Sequence, residues 1–372
     1  MEVKCNTITP IFIGCGEEYT QLDYYIEENK AKIVDLEKAM MDLDDLEKIN
    51  HLSKLITSYI NNNRLESNAK ELLKSIGIDV KDYVVREVNC EIESHRSIRV
   101  KKFINQRGFP YIPGSSIKGA IRTAYIFDYY DDEKRINELI KILRDKNIKP
   151  WEKGDAVVKN AISRNIQSDF FKYLIVSDSG FLDGKFKFIM TKRWNTKKGK
   201  FEVPIALEGF MDKNEFDLRI IIKDEFIKEI FKKTERNYKE MDEKEKFDEL
   251  KRICNKLTET IIDFELNRDN PEILETFYER LKNQLNDGIC LNVGFGGGFL
   301  AKTIYLLLWK YDKDGRKGYL KLMKKIFKNE RNRNLRESWN RAYSYYDFPK
   351  TKTVYVKNGR IVSPLGWIKI NY

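Results

Sequence analysis

Residues Phe109 to Tyr125, FPYIPGSSIKGAIRTAY, constrain this chain more than any others, because they force a turn and then a helix. Pro110 and Pro113 hold the approach extended, and Gly114 permits a sharp turn. Ser115 or Ser116 can then accept from the first free helix amides, which predicts a helix start near Ser116. From there Ile117, Ala120, Ile121 and Ala124 recur at helical spacing and are expected to face the core. Lys118, Arg122, Tyr125 and Tyr129 fall on another face, so the exposed stripe is expected to be basic and aromatic. A helix start with free amides, hydroxyls, and a Lys and an Arg one turn apart suits a phosphate group. The same pattern also reads as a well-capped helix that simply enters the core.

Charge points the same way. Sixty-nine Lys and Arg against fifty-eight Asp and Glu leave a formal +11, with a pI near 9.1, which favours a polyanion partner and nucleic acid first. Lys and Glu enrichment also accompanies heat adaptation, so a plain solubility charge is the alternative. With 372 residues, 41% hydrophobic and 12% aromatic, the chain can fill two compact domains and is no disordered tail. Five cysteines without a CxxC pair and two histidines, His51 and His95, offer no zinc site among neighbours in sequence and fit a reducing cytosol. No stretch approaches the ~18 apolar residues of a membrane span. The chain reads as soluble and cytoplasmic, with no membrane partner.

Val3 to Ile13 has strand character and ends in the turn Gly14-Cys15-Gly16. Helical periodicity from about 29 to 78 predicts a helical insertion, and Asp82 to Phe103 switches to β-type composition with a basic hairpin as the expected result. There Arg96, Arg99, Lys101, Lys102 and Arg107 alternate with Phe103, Phe109 and Tyr111, a mix of charge and flat rings on which bases can stack. An edge strand protected by charges is the alternative. His95 is a conceivable general base for RNA cleavage, but it has no acid partner nearby in sequence. Pro150 and Trp151 close a charged helical segment and set a boundary, giving domains 1–165 and 166–372. From Lys172 four strand-like runs predict an antiparallel sheet, with Asp178, Asp183 and Asp212 as turn formers rather than metal ligands. Residues 224–285 return to helical character, with Pro271 opening a helix.

Cys290 to Val293 reads as a buried strand, followed by the glycine-rich loop 294–298 and by Leu300-Ala301-Lys302-Thr303 leading into an apolar helix. A strand, a glycine loop and a helix in that order can cradle phosphate. As a Walker A loop it fails where Ala301 replaces the second glycine, and as a dinucleotide fingerprint it lacks the surrounding βα alternation, so no cofactor is assigned. A bend that needs glycines for tightness alone is the alternative. Beyond it, Asn358-Gly359 predicts a hairpin, Lys350 and Lys352 are candidate RNA contacts, and Trp367 is a packing residue.

IPGSSIKGAIR resembles the signature helix of the RAMP superfamily, the RNA-binding proteins of CRISPR systems. The longer YIPGSSIKGAIRTA is similar to one branch, the fifth Csm subunit of type III-A effector complexes. The turn Ile13-Gly14-Cys15-Gly16, the loop Gly294-Phe295-Gly296-Gly297-Gly298-Phe299 with Lys302-Thr303, and Pro364-Leu365-Gly366-Trp367 resemble the same branch. The resemblance implies an α+β fold of two ferredoxin-like (RRM-type) halves with helical insertions. It implies a non-catalytic subunit that binds guide RNA, caps the 3′ end side of the complex and assists 3′-end maturation. The alternative is a RAMP-type endoribonuclease acting on guide precursor. Implied partners are guide RNA, neighbouring Csm backbone and small subunits, and host nucleases that trim the 3′ end. The expected RNA-binding residues are Gly114, Ser115, Ser116, Lys118 and Arg122 at the helix start. Gly294, Gly296, Gly297, Gly298, Lys302 and Thr303 are expected at the loop, with Arg99, Lys101, Lys350 and Lys352 beside them. No catalytic residue and no metal are expected.

Overall fold

The computed structural model describes the chain apart from residues 44, 63–67, 93–97, 164, 166 and 329–332. Its first sheet runs Ile289–Asn292, Trp367–Asn371, Glu2–Thr7, Glu215–Ile222, Leu174–Val176, antiparallel throughout. Along Glu2–Thr7, Val3, Cys5 and Thr7 are buried while Glu2 and Lys4 are exposed, the alternation of a sheet covered on one face. Two long helices, Gly114–Tyr130 and Glu243–Leu266, pack against this sheet and against each other. In chain order the connectivity is β-α-β-β-α-β, closed by Trp367–Asn371 beside Glu2–Thr7 and with Ile289–Asn292 added at the edge. That is a ferredoxin-like order, drawn from both ends of the chain, so the sheet crosses residue 165.

The second sheet has nine strands. Phe186–Asn195 and Lys200–Phe210 form its antiparallel centre, and both are flanked by parallel neighbours, Val84–Cys90 and Val100–Phe103. The basic hairpin expected between Asp82 and Phe103 is therefore absent. Its two strands sit in one sheet with the central pair between them, each joined to that pair over two residues. Of the four strand-like runs after Lys172, the middle two stay in this sheet and the outer two join the first. The hairpin at Asn358-Gly359 forms as expected, with both residues at positive φ, 49° and 71°.

One hydrophobic core joins both sheets and the helices, and a satellite core of Tyr25, Val34, Leu52, Leu72, Leu73 and their neighbours holds the helical segment before residue 80. Pro271 is the N-cap of Glu272–Gln284. Asp128 on the signature helix receives Arg252 of the long helix in a bidentate pair at 2.9 and 2.8 Å and Lys256 at 3.0 Å, which locks the two helices in register.

Candidate nucleic-acid interface

Three glycine-bearing segments interlock at the end of the first sheet. The Phe295 amide donates to the Phe12 carbonyl at 2.8 Å, the Val293 amide to Gly366 at 2.7 Å, and the Gly366 amide to Pro10 at 2.9 Å. Asn292 Nδ2 adds a bond to the Leu365 carbonyl at 2.8 Å. Gly294 has φ +67°, and a Cβ there would run into the Phe12 carbonyl oxygen. Gly296 and Gly297 abut Leu365 and the Asn292 side chain. Gly298 differs: it is exposed, at φ +57°, with open space where a Cβ would stand. Most of the loop's glycines therefore serve close packing, and the face open to a ligand is Gly298 and the short helix Gly298–Lys302 behind it.

The signature helix starts at Gly114, two residues before the expected Ser116, with Pro113 as N-cap and no side-chain cap. The Gly114 amide is taken by Asp178 Oδ1 at 2.8 Å, and the residue lies against the backbone of Val176 and Ser177. This corrects the assignment of Gly114 as an RNA contact, because both its amide and its surface are covered. Asp178, read from sequence as a turn former, is the group that takes the helix's first amide. Ser115 is exposed and Ser116 half-buried; neither caps the helix. Tyr125 and Tyr129 are not on an exposed stripe. Both are buried, and Tyr125 meets Phe170 and Phe171 edge-on at 5.3 and 5.6 Å. The helix is covered by Glu133–Arg144 and Lys153–Ala161 as well as by the sheet, which leaves a narrow strip free.

That strip carries Lys118 and Arg122. Burial pushes the Lys118 ammonium down, opposed by the Asp169 carboxylate. Arg122 pairs with Asp169 at 2.8 Å and lies over the Phe171 ring, 5.1 Å from its centroid. Arg122 then meets the glycine loop's helix: Arg122, Lys302 and Thr303 share the lining of one cavity of about 440 Å³, floored by Ile126, Phe299 and Tyr305. Lys302 is exposed, while the Thr303 hydroxyl donates to the Phe299 carbonyl at 2.8 Å. Two segments nearly two hundred residues apart in sequence thus bring two cations to one rim.

The remaining sequence candidates lie elsewhere. Arg99 is exposed just before Val100–Phe103, and Lys101 is paired with Glu18 at 3.1 Å. Lys350 is half-buried, its carbonyl bonded to the Thr196 amide at 3.2 Å. Lys352 is sealed: its ammonium contacts the buried Glu265 carboxylate and Asn270 Oδ1, the latter at 2.7 Å. Its assignment as an RNA contact is corrected, since a cation spent on a buried carboxylate has nothing left for a phosphate. Arg96 and His95 lie outside the described residues.

The outward face of the first sheet carries no exposed aromatic ring among the described residues of its central strands: Trp367, which shares that face with Lys369, is buried, its ring 6.4 Å from that of Phe277. Lys4 and Asn6 there engage Glu215, at 3.5 and 2.8 Å. Base stacking on an open sheet face, the habit of many RNA-recognition sheets, is thus not built here. No group of His, Cys, Asp and Glu among the described residues is arranged to hold a metal ion, and no helix is long and apolar enough to cross a membrane.

The RAMP superfamily model matches residues 4–298. A CRISPR system Csm5 protein of Methanocaldococcus jannaschii is 56% identical over 374 residues, covering 100% of this chain and 88% of that relative. The chain belongs to the Csm5 branch of the RAMP superfamily. A Csm5 of Streptococcus thermophilus is 28% identical over 63% of this chain and 68% of its own length. In solved structures, a chain of a type III-A Csm–crRNA–target RNA ternary complex superposes with TM-score 0.68 at 21% identity, covering 100% of both chains. The crystal structure of T. onnurineus Csm5 gives TM-score 0.63 at 20% identity over 98% of this chain and 99% of that one. The α+β class and the RAMP and CRISPR assignment read from the motifs agree with these likenesses.

Proposed function

We propose that this protein is the guide-RNA-binding subunit that caps the 3′ end side of a type III-A Csm complex, without catalysing cleavage itself. The observation that carries this reading is the shared rim of Arg122 and Lys302, where the two motifs of the family meet around an accessible loop. Phosphates of the guide bind there through Lys302, Arg122, Lys118 and the Ser115 and Gly298 surfaces, with Arg99 as an outlying contact. Neighbouring Csm backbone and small subunits complete the site, and the protein assists maturation by holding the 3′ end for a nuclease supplied by the host. Membership of the Csm5 branch and likeness to a chain of a guide-bound complex support the assembly.

The test is binding of end-labelled guide RNA to the purified chain, with and without EDTA. Saturable binding, weakened by Lys302→Ala and with the RNA left intact, is expected. Cleavage that a clean preparation retains, and that a point variant abolishes, would replace this reading with that of a RAMP endoribonuclease.

A further inference from the structure

We infer that a second RNA track, resting on the RNA-binding role proposed above, runs over the helix Tyr319–Phe327, the Lys197–Lys200 turn and the ring of Tyr343, and that its ligand is single-stranded RNA.

From Lys313 to Arg341 the chain carries eleven Lys or Arg against three Asp or Glu, a surplus of eight in a chain whose formal charge is +11. Most of the protein's excess charge sits in this one segment. Like charges held together repel, and a surface that keeps them so is the footprint of a polyanion partner. Met323, Ile326 and Phe327 of the helix Tyr319–Phe327 face inward and wall the cavity that carries Arg122 and Lys302. Lys321 and Lys325 on the other side are exposed, as is Lys328 just beyond, and Lys324 is half-buried. Among the described residues none of these four lysines is in an ion pair. The acids of this segment among the described residues are already engaged: Asp314 by Arg316 at 3.1 Å, and Glu337 by Arg333 at 2.7 Å and Arg341 at 3.4 Å.

The Tyr343 ring decides the class of polyanion. It is 87% exposed, the most open large apolar side chain described. Its backbone is nevertheless fixed, since the Tyr343 and Ser344 amides donate to Asp347 at 2.6 and 2.9 Å and Lys197 pairs with the same carboxylate at 2.8 Å. Lys197 Nζ and Lys324 Nζ both lie 5.6 Å from the ring centroid, and Lys198 and Lys200 are exposed alongside. An exposed ring with the Lys324 ammonium near it, outside any ion pair among the described residues, and with the Lys197 ammonium shared with Asp347, offers one unpaired base a stacking surface and its flanking phosphate the Lys324 cation. An acidic protein would use the lysines and gain little from the ring. The same helix walls the Arg122 and Lys302 cavity, so the track continues from the rim already described.

The experiment titrates the full chain with fluorescein-labelled single-stranded RNA at several salt concentrations. Lys321→Gln, Lys324→Gln and Lys325→Gln together should lower the slope of log affinity against log salt by about 2, at about 0.7 per phosphate contact on a single strand. Tyr343→Ala should weaken binding about fivefold or more with the slope kept, as loss of one stacked base does. All four side chains lie at the surface, so thermal melting should match the unsubstituted chain. Cross-linking of 4-thiouridine RNA to the unsubstituted chain needs no variant, and an adduct on the peptide holding Tyr343 is expected. Variants indistinguishable from the parent, or no such adduct, overturn the track and leave the Lys302 site standing. A parent chain that binds no RNA overturns the RNA-binding role and the track together. Poly-glutamate binding as tight as RNA and indifferent to Tyr343→Ala overturns the track and assigns the surface to an acidic protein.

Discussion

The Phe295 amide donates to the Phe12 carbonyl at 2.8 Å, so a loop near the end of the chain is fastened to a turn near its beginning. The ferredoxin-like sheet needs both chain ends, since Glu2–Thr7 and Trp367–Asn371 are neighbours in it. The glycine loop is thus a joint of the fold as well as a surface, and its glycines divide between the two duties.

That division predicts opposite outcomes for two chemically identical substitutions. Gly294→Ala puts a methyl group into the Phe12 carbonyl at φ +67°, whereas Gly298→Ala at φ +57° meets nothing within 4 Å. The left-handed backbone alone costs about 1–2 kcal/mol for a non-glycine residue. Gly298→Ala should therefore lose about that much in urea denaturation, and Gly294→Ala clearly more, at least ~3 kcal/mol with the clash added. Equal losses would show that packing at Gly294 yields at no cost.

How far such duties can be read from sequence depends on where the partner sits. The turn and helix after Pro113, the glycine loop and the tail hairpin were legible, because proline, glycine and helical spacing act locally. The roles of Gly114 and Lys352 were not, because their partners, Asp178 and Glu265, are 64 and 87 residues away. Tyr125 was misplaced for a related reason: periodicity gives the faces of a helix but not how many neighbours cover them. The strands after Lys172 were recognised as strands, yet nothing in their composition says that they divide between two sheets. The basic run from Lys313 to Arg341 carries no motif, and a plain count of charge is the signal that finds it.

Lys352 and Lys350 look alike in sequence and should behave differently. The Lys352 and Glu265 side chains are 10% and 4% exposed. Lys352→Ala leaves the Glu265 carboxylate buried without its ammonium partner, a change that costs about 3–5 kcal/mol in comparable pairs. Arg268, 3.8 Å from the same carboxylate, should keep the loss toward the lower end. Lys350→Ala should change stability by less than about 0.5 kcal/mol. Comparable losses for the two in thermal or chemical denaturation would contradict the buried pairing.

Acid should unfold the protein through a small set of buried carboxylates. Burial would raise the pKa of Asp128, Glu249 and Glu265, but it is outweighed by Arg252 and Lys256 at Asp128, by Arg252 and Arg236 at Glu249, and by Lys352 and Arg268 at Glu265. Each carboxyl is thus held below its ordinary value, 3.8 for Asp and 4.5 for Glu. The unfolded chain binds protons on these groups at higher pH than the folded one does, so their contribution is complete above about pH 5 and is lost as pH falls through that range. Stability measured by urea midpoint should drop from pH 5 to pH 3. Asp128→Asn should flatten that drop and cost about 2 kcal/mol at neutral pH, less than a sealed pair because Arg252 and Lys256 are 41% and 30% exposed. An acid limb unchanged by Asp128→Asn would remove Asp128 from the set.

Asp169 offers the sharpest test of the interface, because removing it should improve binding. Its carboxylate holds Arg122 at 2.8 Å and also accepts the Phe171 amide at 2.9 Å, capping the short turn Phe170–Tyr173. Asn keeps the carbonyl oxygen needed for the cap and discards the charge, so the turn should survive Asp169→Asn. The pair is partly exposed, 33% on Arg122 and 22% on Asp169, and its loss should cost no more than about 1 kcal/mol of stability. Arg122, still oriented by the Phe171 ring 5.1 Å away, would then face the cavity rim with its charge uncompensated, beside Lys118 relieved of the same carboxylate. If guide phosphates bind at that rim, RNA affinity at low salt should rise about two- to fivefold, the equivalent of one released ion pair of ~0.5–1 kcal/mol. Arg122→Gln should lower affinity by a similar factor, and in the double variant the gain from Asp169→Asn should vanish. Anisotropy titration of the four proteins closes the cycle. A gain that persists without Arg122 would mean that Asp169 acts by general repulsion and that the rim is not where the RNA lies.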